Sequence, residues 1–431
     1  MPWPLLLCIA IAAISWVIPA PVGLSIKGWH LLTLFVATIV GIINKALPMA
    51  ALTLVSLAFA IGSGTITPND GLSGFSNQLV WLVIFALFIA HGFASTGLGE
   101  RAAYHFTRMF GKRTLGLSYG LMLTDLVMAP AVPSVTARAT GLIMPIMQAI
   151  SVSFDSKPNH PSSRKIGAFL NLSIFHTTVI TSAMFVTAMA ANPMLVELAR
   201  SLGYQITWLS WAAAAIVPGL ANLIVMPLVL YAMCPPEIKV TPNAPLWAIG
   251  ELKRMGPMKA KEWILIATLV LLLFLWIFGE TYLGVKAAVA GLIGVAILMA
   301  TRVVEWDEVA KKAAIWETFI WFAILLALSS QLTTLGVMEW LSSGIGAAFG
   351  NVDWHIAFPL LALFYFYTHY FFASSTAHVS VMFAPLVAVA IQLGTPPMLA
   401  IFTFAFFSNL FGCLTHYSLA PAPALFASGY V

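Results

Sequence analysis

The chain has 431 residues, of which 61% are hydrophobic and only 8% charged, with a formal net charge of +5. Soluble globular chains carry about 25% charged residues, so this composition excludes a soluble domain and points to an all-α integral membrane protein. The small basic excess then bears on orientation in the bilayer, and no nucleic-acid partner is expected.

Taken in chain order, apolar runs long enough to cross about 30 Å of hydrocarbon are predicted near 3–23, 29–46, 48–66, 78–98, 168–190, 206–233, 263–280, 285–302, 315–336 and 398–418. That makes about ten membrane-spanning helices surrounded by membrane lipid. The opening "MPWPLLLCIAIAAISWVIPAP" has the apolar core of a signal peptide but no basic stretch before it, so it reads as the first membrane helix. Trp3, Trp29, Trp208, Trp263, Trp306 and Trp354 stand near the ends of runs, where an interfacial aromatic belt places them. Cys8, Cys234 and Cys413 lack disulfide or zinc spacing. His91, His176, His369 and His416 are scattered without metal-ligand spacing and read as packed or hydrogen-bonded residues, so no metal and no cofactor is expected.

Two further apolar stretches, near 115–150 and 354–393, are each too long for one helix and are broken by "APAVPSVTARATG" and "FFASSTAH". Each is predicted to be a re-entrant hairpin, because non-helical backbone at membrane depth is tolerated only where protein or a cavity covers it. With both hairpins and a cytoplasmic N-terminus, sixteen of the 20 Lys and Arg fall on the cytoplasmic side. Lys27, Arg200 and Lys286 fall outside, and Arg138 lies within the membrane. This is the positive-inside pattern.

The two halves match. Ser134, Thr136, Arg138 and Pro145 correspond to Ser374, Thr376, His378 and Pro385 at a constant offset of 240 residues. An odd number of crossings separates the hairpins, so they open from opposite sides. That arrangement is an inverted-repeat secondary transporter with its site near the midplane. The expected organisation is a first repeat over 1–234, a cytoplasmic linker over 235–262 and a second repeat over 263–431.

The tips offer Ser134 and Thr136, then Ser374, Ser375 and Thr376, together with helix starts whose N–H groups and dipole favour a carboxylate. Arg138 and His378 stand one turn behind each tip and are read as uncompensated basic groups that attract an anion in place of a metal ion, the alternatives being an Arg138 that snorkels to the interface and a neutral, hydrogen-bonded His378. Asp125 in the first arm is a candidate partner for a basic group.

"PSVTAR", "SSTAHVSVMFAP", "GKRTLGLSYG", "FLNLSIFHTTVITSAMFVTAMAANP" and "FGCLTHYSLAPAPALFASGYV" resemble the divalent anion:sodium symporter family, in its citrate/succinate and 2-oxoglutarate/malate antiporter branch. The resemblance implies a homodimer with an elevator movement and a site that binds organic di- and tricarboxylate anions. It places Ser134, Val135, Thr136, Ser374, Ser375 and Thr376 at the two tip motifs, with Thr187, Met189, Asn192, Thr415 and Ser418 in the unwound stretches that follow. Val135 and Ser375 stand where the family carries asparagine, and Met189 and Leu419 where it carries a hydroxyl. The pocket is therefore expected to be more apolar than the family's. Arg138 and His378 resemble the exchangers, in which fixed positive charge stands in for sodium. The resemblance also implies a last membrane helix after Val431, so the chain is expected to be either a shortened member or an incomplete gene product.

The reading is thus an exchanger in the bacterial inner membrane, with sodium-coupled symport as the alternative. An anion channel or membrane enzyme is the remote one. No H-E-x-x-H or G-x-S-x-G pattern is present, so no enzyme activity is expected.

Overall fold

The computed structural model describes residues 3–349, 352–372 and 374–431. Ala373, inside the second tip, lies outside the described residues. The described chain is helical nearly throughout. Among the described residues, six helices are long and apolar enough to cross a membrane: Ile26–Ile43, Gln78–Thr96, Trp208–Met233, Ala260–Leu283, Ala313–Thr334 and Ser375–Gln392. Trp3–Val17, Met49–Gly62, Thr114–Met128, Ala287–Ala300 and Pro397–Cys413 are shorter and apolar.

Trp208–Met233 shows what kind of solvent surrounds the protein. Its buried residues, Trp208, Trp211, Ala215, Gly219, Leu223, Pro227 and Leu230, recur every three or four positions as one stripe. The opposite face carries Val217, Ile224, Val225 and Leu228, all exposed. A helix on a water-soluble protein would be polar there, so this face is built for hydrocarbon. The stripe packs on Gly167–Met184, where a Cβ on Gly219 would come within 2.8 Å of the Met184 side chain. A small residue is what lets two membrane helices approach this closely.

Contacts divide the chain into two compact units. One comprises Met1–Ile84, Pro193–Ile206 and Lys311–Phe411; the other comprises Phe85–Asn192, Thr207–Ala310 and Gly412–Val431. Each unit contains one hairpin. In the second unit, the arm Thr114–Met128 packs on Leu98–Phe110 and on Gly167–Met184. In the first, Trp354–Thr368 and Ser375–Gln392 pack on each other and on Pro397–Leu410.

The expected linker, 235–262, carries ordered structure of its own. Val240 pairs with Arg113 in an antiparallel bridge, flanked by Thr114 N to Lys239 O at 3.1 Å and Thr241 N to Lys112 O at 2.9 Å. Ile238 N reaches Lys165 O at 3.0 Å, so the strap spans both ends of the first hairpin. Asn243–Met255 is a helix packed on Leu98–Phe110 with Ala244 and Ala248 buried. Its prolines and charges masked that narrow apolar face in the sequence. A buried ion pair, Arg101 Nε to Glu262 Oε1 at 2.6 Å, ties the same region together, with Arg101 Nη1 donating to Gly256 O at 3.0 Å.

Candidate functional site

The first tip begins where Thr114–Met128 ends. Pro130 and Pro133 lack N–H donors and disfavour helix before them, so 129–134 leaves the helical path. The chain then re-enters a helix whose first part, Ala137–Ile143, has π geometry before Met144–Ser153 continues as α-helix. Such bulges are frequent at functional sites. Ser134 Oγ accepts from Ala137 N at 3.2 Å, which caps this start. Thr136 is exposed, and Val135 turns inward at 6% exposure.

Arg138 is buried at 1% exposure, and its guanidinium is held from three directions. Nε donates to Asp125 Oδ1 at 2.8 Å, and Nη1 donates to Ala188 O at 2.7 Å and to Val132 O. Nη2 is buried without a hydrogen-bond partner. Asp125 Oδ2 accepts from Thr178 Oγ1 at 2.8 Å and from Thr181 Oγ1. The sequence reading of Arg138 as an uncompensated charge is corrected here: a carboxylate thirteen residues earlier neutralises it. Burying an unpaired guanidinium costs several kcal/mol, about what the pair avoids.

The break between Gly167–Met184 and Ala191–Ser201 frees backbone carbonyls, and the polar residues named from the sequence answer them. Asn192 Nδ2 donates to Ser182 O at 2.8 Å and to Phe185 O at 2.9 Å. Thr187 Oγ1 donates to Pro130 O and accepts from Trp208 Nε1 at 3.1 Å. Met189 is buried beside them in the chain. In the C-terminal stretch Ser418 is fully buried and donates to Thr415 O at 2.8 Å. Thr415 lines a cavity of about 240 Å³ with Asn171, His176 and His416.

The second tip is wrapped differently. Trp354–Thr368 gives way to the turn His369–Phe371, and Ser375–Gln392 follows. Ser374 Oγ accepts from Ala377 N at 3.4 Å, Ser375 is buried at 5% exposure, and Thr376 is half-buried. His378 is fully buried, with its Nδ1 at 3.1 Å from Nδ1 of His369 and its Nε2 at 3.3 Å from Thr368 Oγ1. Its ring stacks on Tyr365 and Phe372, each at 4.6 Å between centroids, and on Phe411 at 4.7 Å. Tyr365 is itself fixed by Ser408 at 2.6 Å.

The structure therefore brings Ser134, Val135, Thr136 and Arg138 together in one tip and Ser374, Ser375, Thr376 and His378 in the other. Thr178, Thr181 and Tyr365 were not singled out in the sequence, and Trp208, expected in the interfacial belt, is buried beside Thr187 instead. The one available signal was Asp125, an acid inside an apolar arm.

The whole chain, residues 1–431, matches the family model described as the sodium:sulfate symporter transmembrane region. YflS of Bacillus subtilis (strain 168), whose name carries malate transport as a provisional assignment, is 48% identical over 429 residues, 99% of this chain and 90% of that protein. The chloroplastic dicarboxylate transporter 1 of Spinacia oleracea is 44% identical over 431 residues, 99% of this chain and 76% of that one. The citrate/succinate antiporter of Escherichia coli (strain K12) is 32% identical over 449 aligned residues, all of this chain and 92% of that one. The crystal structure of the YdaH transporter of Alcanivorax borkumensis shares the fold, with a TM-score of 0.60 over 93% of this chain and 90% of that chain at 12% identity.

Proposed function

Because the chain belongs to the sodium:sulfate symporter family of membrane transporters, we propose that it exchanges di- and tricarboxylates of the succinate, malate, citrate, tartrate or 2-oxoglutarate type across the bacterial inner membrane. The N-terminus lies in the cytoplasm. The chain, built of the repeats 1–234 and 263–431, works as a homodimer with an elevator movement in each protomer, and the two tips are its carboxylate receptors. Relatives named as dicarboxylate transporter and citrate/succinate antiporter support this class of substrate and this mode.

The observation that carries the reading is the lodging of Arg138. Its Nη1 sits between the carbonyls of the tip, at Val132, and of the unwound stretch, at Ala188. Two carbonyls converging beside a carboxylate are a cation's ligand set, and here a covalently fixed cation fills that role. Sodium is then unnecessary at the first tip. Each unit by itself offers a carboxylate a capped helix start with its hydroxyls and N–H groups: Ser134 and Thr136 in one, Ser374, Ser375 and Thr376 in the other.

Exchange follows from the empty state. With Arg138 already neutralised, the barrier to crossing empty is the set of donors at the helix starts, each costing about 2 kcal/mol or more when buried without an acceptor. A bound anion satisfies them and lets the tips cross.

Uptake of labelled succinate and citrate into proteoliposomes tests this. Uptake only into vesicles preloaded with unlabelled acid, equal in sodium and potassium, is the expected result. Sodium-driven uptake into empty vesicles would overturn exchange in favour of symport.

A further inference from the structure

We propose that the strap 237–241 and the segments it joins form a binding patch for the headgroup of an acidic phospholipid at the base of the first hairpin. The basic residues concerned come from three separate parts of the chain, and main-chain hydrogen bonds bring them together. Thr114 N donates to Lys239 O at 3.1 Å and Thr241 N to Lys112 O at 2.9 Å, while Ile238 N donates to Lys165 O at 3.0 Å and Glu237 N to Arg164 O at 3.1 Å. Five cationic residues, Lys112, Arg113, Arg164, Lys165 and Lys239, are thereby fixed on adjacent segments of one compact unit.

The bonds that gather these residues use backbone atoms, so the side chains stay available to another partner. Lys112, Arg113, Arg164 and Lys239 are exposed, and Lys165 is half-buried. Among the described residues none of the five takes part in an ion pair. The acids nearest in the chain, Asp155 and Glu237, are exposed and leave the patch net positive. Elsewhere in the same unit the cations are answered: Arg138 by Asp125, Arg101 by Glu262 and Arg254 by Glu251.

Unanswered positive charge suits any anion; the surroundings of this patch suit a lipid. Trp208–Met233, whose outer face is built for hydrocarbon, ends four residues before the strap begins. The arm that starts at Thr114 packs beside that helix, with Tyr119 Oη donating to Ile224 O at 2.6 Å. The patch therefore sits where a lipid-facing helix leaves the membrane. Met109, Phe110, Met233 and Val240 are exposed among the cations, and apolar side chains interleaved with Lys and Arg match the boundary between acyl chains and phosphates. A phosphate held there accepts charge-assisted hydrogen bonds and ties the strap to both ends of the first hairpin.

The test is equilibrium binding of a fluorescent phosphatidylglycerol to the purified full chain in detergent, competed by unlabelled phosphatidylglycerol, by phosphatidylcholine with the same acyl chains, or by glycerol phosphate. Phosphatidylglycerol is expected to compete at least about tenfold better than phosphatidylcholine, with a preference that weakens as salt rises. Lys112→Gln combined with Lys239→Gln is expected to remove most of that preference, at about fivefold per cation. Lys112→Arg combined with Lys239→Arg is expected to keep it, which separates charge from a disturbed strap, and Lys286→Gln, at an exposed lysine elsewhere in the unit, is expected to change nothing. Equal competition by the two lipids overturns the proposal. Competition by glycerol phosphate at the same phosphate concentration overturns it by making the ligand a soluble anion, and an undiminished preference in the glutamine double variant overturns it by placing the lipid elsewhere.

Discussion

The two tips share a serine cap and a basic residue four positions later, yet they treat that residue in opposite ways. Arg138 is locked into an ion pair whose carboxylate is held by two threonines. His378 lies among aromatic rings with a second histidine as its polar partner. The first tip has a charge that cannot vary, because arginine does not lose its proton. The second is built on two imidazoles enclosed by aromatic rings. Repeats related by sequence have thus diverged in electrostatics while keeping the serine-capped helix start.

The contrast can be broken most severely at Asp125. Asp125→Leu leaves Arg138 buried and unpaired, with an expected loss of about 3–5 kcal/mol in thermal unfolding of the detergent-purified protein. Asp125→Leu combined with Arg138→Met is expected to recover most of that stability without restoring transport. A single variant as stable as the double would show that the pair is not what holds the tip. In the second tip His378→Phe removes no ion pair, and the expected loss is smaller, about 1–3 kcal/mol for the lost hydrogen bond between His369 and His378.

Asn192→Ala comes next. It removes the donors to Ser182 O and Phe185 O, for an expected loss of about 1–3 kcal/mol. If Asn192 contacts the anion alone, affinity would fall while the unfolding midpoint stayed put, and that pattern would refute its structural part. The smallest effects are expected at the caps, where Ser134→Ala and Ser374→Ala each lower stability by about 1 kcal/mol. Comparable losses of anion affinity in the two variants would support two equivalent carboxylate receptors; a loss confined to one would make the site one-sided.

The hairpins and the serine caps were legible because they interrupt an otherwise unbroken apolar text. Proline and small polar residues at membrane depth have few structural uses. The order within the stretch 235–262 was illegible for the converse reason. Its helix Asn243–Met255 buries a narrow face within a polar segment, and the strap 237–241 is held by backbone hydrogen bonds that no side chain announces.

Composition alone determined that the chain lives in a membrane, and the repeated polar breaks determined that it has two matched tips. Which residues meet behind those tips was decided by the tertiary structure. A membrane helix is apolar toward lipid and toward protein alike, as Trp208–Met233 is on both faces, so periodicity does not reveal its inner side. The partnerships of Arg138 with Asp125 and Ala188, and of Asp125 with Thr178, 53 residues away, exist only once the helices have packed. In a low-dielectric interior, that packing decides whether a basic residue arrives as a free charge or as half of a neutral pair.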